Sequence, residues 1–96
     1  MTPCEEVTLV GEGEVVTKSP NCLGTFTRTD KWRWDRPVLR NSRGKYLYCG
    51  LSWKVGDGIG GRDIRSYNAP LCPADIKRWE NDYNIIVTCS AHSKKI

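Results

Sequence analysis

The chain reads as a small all-β domain: antiparallel strands stapled by disulfides, with one short helical turn near the C-terminus. Three observations predict this. Short stretches rich in β-branched and aromatic residues recur, broken by turn signals about every eight to twelve residues. The length of 96 residues supports one hydrophobic core only. The five cysteines are widely and evenly spaced, as suits bridges between distant strands of a small domain.

The elements follow in order. Glu5 to Val10 alternates partially and is a strand, ended by Gly11-Glu12-Gly13-Glu14. Val15-Val16-Thr17 begins a second strand, stopped at Lys18-Ser19-Pro20-Asn21. Gly24 to Thr29 is Thr-rich and favours a strand. Asp30-Lys31 turns the chain into Trp32-Arg33-Trp34-Asp35-Arg36, where the two Trp share one face of a strand. Residues 38–49 form a β-hairpin around Asn41-Ser42-Arg43-Gly44, with Gly44 free to take positive φ. Ser52 to Val55 is the next strand, ended by the glycine-rich 56–61 stretch, and Asp63 to Tyr67 is a further short one. Pro73 to Glu80 is one or two helical turns with Pro73 at the first position. Asn84 to Cys89 closes the domain. The domain therefore spans 1–89, and residues 90–96 are a mobile polar tail. The expected core is Val7, Leu9, Phe26, Val38, Leu47, Trp53, Val55, Ile64, Ile85 and Val87, in a sandwich-like scaffold.

Cysteine arithmetic favours bridges over metal. No Cys-x-x-Cys pair exists, and the single His, His92, sits in the tail, so no metal site is expected. The preferred bridge is Cys4 with Cys89, tying the first strand to the last; the second is Cys49 with Cys72, or Cys22 with Cys72. The odd cysteine is either a buried small hydrophobe or a link to a second copy.

Several function classes fall away. No apolar run approaches the roughly 18 residues of a membrane helix. The polar start shows no signal peptide, so a secreted protein requires that one was removed. Gly56, Gly58 and Gly61 fit Gly-x-Gly-x-x-Gly, but no helix follows to hold a pyrophosphate, so they read as turn glycines. Asp57 and Asp63 flank this loop without the spacing of a calcium loop, and read as turn formers. With one tail His and no paired carboxylates, an enzyme is not expected, nor is a cofactor.

Charge points to an anionic partner. The net charge is +4, and residues 28–48 hold Arg28, Lys31, Arg33, Arg36, Arg40, Arg43 and Lys45 against Asp30 and Asp35. Such a block attracts anionic polymers, or else pairs with the acidic N-terminal segment on folding. Aromatic residues interleave it. Trp32, Trp34, Tyr46 and Tyr48 would stack on sugar faces, Arg36 would hydrogen-bond, and Arg40 and Arg43 would supply charge. Trp53 and Trp79 are expected in the core.

Leu23-Gly24-Thr25-Phe26, Arg36-Pro37-Val38, Tyr46-Leu47-Tyr48, Trp53-Lys54-Val55-Gly56 and Cys72-Pro73 together resemble a small β-module of extracellular animal proteins. Its pattern runs Leu-Gly-x-Tyr, Asn-Gly-Arg-Pro-Val-Tyr, Tyr-Leu-Tyr, Trp-x-Val-Gly, then Cys-Pro. Phe26 stands for the pattern's first Tyr, Trp34-Asp35 for its Asn-Gly, and Leu39 for its second Tyr. The resemblance spans about residues 4–89 and implies secretion and a binding or adhesive role, with no catalytic residues.

The expected function is thus a secreted, lectin-like recognition module for a carbohydrate or anionic polymer, of the kind used in adhesion or innate immunity. The alternatives are a structural or adhesive module that self-associates through the odd Cys, and an inhibitor or effector that docks on a protein through Gly56–Gly61. Nucleic acid is a weaker partner.

Overall fold

The computed structural model describes residues 5–70 and 72–90. They form one seven-stranded antiparallel sheet, curled into a half-barrel. Its strands are β1 (Glu6–Glu12), β2 (Gly24–Arg33), β3 (Arg36–Asn41), β4 (Tyr46–Cys49), β5 (Trp53–Gly56), β6 (Ile64–Arg65) and β7 (Asn84–Ser90). The spatial order is β6-β5-β4-β3-β2-β1-β7, so the chain meanders and its first and last strands pair. The expected all-β class is observed. The sandwich is not: a single sheet folds over its own concave face.

That face is built by period-two alternation. Val7 stands opposite Phe26, and Leu39, Leu47, Val55 and Ile64 form a row across four strands. Trp53 is fully buried, and its indole N–H donates to the Pro70 carbonyl at 2.7 Å. Burying one Trp is worth up to about 5 kcal/mol at ~25 cal/mol per Å² of apolar area. From the segment after β6, Ala69, Cys72, Ile76 and Tyr83 pack against the core, and Trp79 is buried in it. Eight of the ten expected core residues are buried, while Ile85 and Val87 pack partly against the core on the edge strand β7.

Three local expectations are corrected. Residues Glu14–Lys18 are a short α-helix, α1, that buries Val15 and leaves Val16 exposed. Strand β2 runs on through Trp32 and Arg33, and the chain reverses at Trp34-Asp35. The helical turns expected over residues 73–80 are present as 3-10 turns, one at Pro73–Asp75 with Pro73 at its first position and one at Glu80–Asp82. Ser90 belongs to β7, and the rest of the expected tail lies outside the described residues.

The expected second bridge does not form. Cys22 and Cys49 are free thiols buried in the core, so neither Cys49–Cys72 nor Cys22–Cys72 forms. Cys49 faces inward opposite Trp53 and behaves as a small hydrophobe. The sulfur of Cys72 lies instead 3.4 Å from that of Cys89. The Cys4–Cys89 pairing involves a residue outside the described range. No described helix is long and apolar enough to cross a membrane.

Asn41 ties the turns together. Its buried amide donates to the carbonyls of Asn21 and Leu23, and its Oδ1 accepts from the backbone N–H groups of Arg43 and Lys45. Gly44 takes φ 84° in the same turn, as expected.

Candidate functional site

The site is a hairpin tip. Strands β2 and β3 pair as far as Arg33 opposite Arg36, leaving a two-residue loop, Trp34-Asp35. Both loop residues have positive φ, 55° and 62°, the signature of a type I′ turn. Asn-Gly is the favoured pair there, because an L side chain in this region costs about 1–2 kcal/mol. A Trp at such a position is a genuine outlier. It is also more than half exposed, at 56%, and Trp32 beside it at 54%. Two aromatic rings are thus held in water on a strained turn.

Neighbouring cations fix the tip. The Arg28 guanidinium stacks over Trp32, 5.0 Å from the ring centroid, and is itself anchored by Glu5 at 3.0 Å. Arg36 donates to the Trp34 carbonyl at 3.3 Å and to the Ala69 carbonyl at 3.1 Å. Arg33 lies over the ring of Tyr48, 5.6 Å from its centroid. The Nε atoms of Arg33 and Arg36 are buried without a hydrogen-bond partner. Among the described residues, no carboxylate lies within ion-pair distance of Lys31, Arg33 or Arg36. Among the described residues, Arg28 is the member of the basic block that pairs with the acidic N-terminal segment, through Glu5. Like charges set opposite each other, as Arg33 and Arg36 are, repel across the ladder.

The seven expected site residues do not form one face. Trp32, Trp34 and Arg36 meet at the tip. Arg40 stands opposite Tyr46 further along the sheet, with its guanidinium 5.6 Å from that ring. Tyr48 is buried, its hydroxyl donating to the Gly61 carbonyl at 2.5 Å. Arg43 serves the β3–β4 turn, donating to the Pro20 carbonyl and to Asn21 Oδ1. Sequence reasoning counted Arg28 only in the basic block, and the structure sets its guanidinium over the Trp32 ring. No turn signal in the sequence marked Trp34-Asp35 as the place where the chain reverses.

A second polar cluster sits under the 56–63 loop. The Lys45 ammonium lies 2.6 Å from both Asp57 and Asp63, occupying the place a cation would take between them. These two hydrogen bonds push the Lys45 pKa above its ordinary value. Burial, helped by the Asp63 carboxylate, raises the Cys22 thiol to about 11, and burial also raises Cys49. Both thiols are thereby held protonated and poorly nucleophilic. Gly56 is required by close approach: a Cβ there would run into the backbone of Gly61.

No protein-family model, curated protein or solved structure matches the chain.

Proposed function

We propose that the β2–β3 hairpin tip makes this chain a non-catalytic recognition module for an anionic polysaccharide, acting outside the cell. The observation that supports it is the exposed Trp34 on a strained, braced turn with exposed Trp32 beside it, flanked by the Arg33 and Arg36 guanidiniums, which have no carboxylate partner among the described residues. Indole faces stack on the C–H faces of sugar rings, and unpaired Arg and Lys side chains suit sulfate or carboxylate groups. Each half-exposed indole leaves on the order of 100 Å² of apolar surface wet, worth about 2–3 kcal/mol if a ligand covers it. Bracing by Arg28 and Arg36 reduces the ordering cost on binding. A protruding ridge, as distinct from a pocket, fits the side of an extended polymer. The module's elongated outline, 40 × 25 × 24 Å, agrees with such a projection. Secretion belongs to the same reading and leans on the sequence resemblance.

The test is binding of the purified chain to immobilised sulfated and uronic-acid polysaccharides. Binding that weakens about 30–150-fold in Trp32→Ala and in Trp34→Ala, and that falls as salt rises, supports the reading. Absence of binding, or binding indifferent to both substitutions, rejects it.

A further inference from the structure

We propose that the ligand track continues from the hairpin tip across the outer face of the sheet to Lys54 and Arg65, and that it takes an extended sulfated chain in place of a short oligosaccharide; this rests on the reading of the tip given above. The strand registers put the parts on one face, because residues directly opposite on paired strands point the same way. Arg33 stands opposite Arg36, Tyr48 opposite Lys54, and Lys54 opposite Arg65. The Arg33 guanidinium lies over the Tyr48 ring, which joins the first pair to the others. Leu47 and Cys49, on either side of Tyr48, belong to the core, so this row faces away from it. The turn between β4 and β5 lies at the same end of the sheet as Trp34-Asp35. Lys54 bends toward it: its ammonium is 3.2 Å from where a Cβ on Gly50 would stand. Arg36 and Lys54 both draw the Cys49 thiol pKa down against the effect of its burial, which sets the two charges near one point.

Like charges directly opposite each other work against strand pairing, and this face carries two such pairs, Arg33 with Arg36 and Lys54 with Arg65. Among the described residues, no carboxylate lies within ion-pair distance of Arg33, Arg36 or Lys54. Arg65 shares Glu80 with Arg62, at 3.5 and 4.0 Å, so two guanidiniums stand against one carboxylate. Lys54 and Arg65 are half-buried, which meets part of their ordering cost before a ligand arrives. A sulfate between Arg33 and Arg36, and another between Lys54 and Arg65, would turn each repulsion into charge-assisted hydrogen bonds. The track crosses the neighbouring strands from β2 to β6. At ~4.8 Å per strand spacing it is roughly 19 Å long. A pyranose unit advances a chain by about one such spacing, so a disaccharide engages one pair and a hexasaccharide reaches both. A neutral polymer gains nothing from the second pair, so repeated charge along the chain is what the track selects.

Calorimetric titration of the full chain with a heparin-derived hexasaccharide and disaccharide tests this. Hexasaccharide binding should weaken about 5–10-fold in Lys54→Gln and in Arg65→Gln, and Lys54→Arg should retain it. Lys18→Gln removes the same charge from the exposed end of α1, and should change the affinity by less than about twofold. The disaccharide should bind at least about tenfold more weakly than the hexasaccharide. Hexasaccharide binding that responds to Trp34→Ala but to neither Lys54→Gln nor Arg65→Gln overturns the track and leaves the tip reading standing. Equal losses in Lys18→Gln and the two track variants overturn it as well, since they mark diffuse attraction. So does a disaccharide that binds as tightly as the hexasaccharide. A parent chain that binds no hexasaccharide rejects the tip reading and the track together.

Discussion

Replacing the hairpin tip by its preferred dipeptide, Trp34→Asn with Asp35→Gly, should stabilise the fold and abolish recognition together. Trp34 and Asp35 sit at φ 55° and 62°. Relief of about 1–2 kcal/mol is expected for a bulky residue there, and less for Asp, which tolerates the region better. Glycine's larger unfolded-state entropy takes back about 0.5–1 kcal/mol. Because more than half of Trp34 is in water, its removal forfeits only part of a buried ring. The hydrogen bond from Arg36 to residue 34 survives, since its acceptor is a backbone carbonyl. The balance is a gain of about 1 kcal/mol, or a Tm higher by roughly 4–8 °C. Urea and thermal unfolding followed by circular dichroism measure it, and polysaccharide binding is assayed on the same preparation. A double variant that is less stable than the parent would refute the claim of strain. One that binds as well as the parent would refute the claim that the strain serves recognition.

Four further outcomes are expected. Gly56→Ala should cost more than about 2 kcal/mol, because the new Cβ meets the Gly61 backbone and displaces the loop that receives the Tyr48 hydroxyl; urea midpoints measure it. Asn41→Ala should cost about 3 kcal/mol, since it strands two carbonyls and two backbone N–H groups, and should loosen hydrogen exchange in the β3–β4 turn. Trp53→Phe should cost about 2–3 kcal/mol by leaving the Pro70 carbonyl unpaired, again read from the unfolding midpoint. The Cys22 thiol titrates near 11 when folded against an ordinary 9.0, so folding favours its protonated form. Its contribution is full below about pH 9 and is lost as pH rises toward 11, by roughly 2–3 kcal/mol in all. Urea unfolding at pH 8 and pH 10.5 should therefore show a smaller decline for Cys22→Ala than for the parent.

The strands were legible where one face alternates cleanly. Tyr46 to Cys49 and Trp53 to Gly56 read correctly because their inward residues, Leu47, Cys49, Trp53 and Val55, differ in kind from the outward Tyr46 and Lys54. Glu14–Lys18 misled because two adjacent valines suggest a strand, although only Val15 is buried. Such a short helix owes its existence to tertiary packing more than to propensity. The tip was misread for a different reason: Trp-Asp carries no turn signal, and its φ values are imposed by the pairing of the flanking strands. Cysteine pairing was the least legible feature. Spacing along the chain does not say which thiols face the core, and Cys22 and Cys49 do.

The measurement that bears most directly on the central claim is the set of four indole N–H signals in a nitrogen-15 NMR titration with a sulfated polysaccharide. Trp32 and Trp34 should shift together and saturably, while the buried Trp53 and Trp79 stay in place. Shifts confined to Trp53 or Trp79, or no shift at a concentration where binding is detected by other means, would contradict the assignment of the hairpin tip as the binding surface.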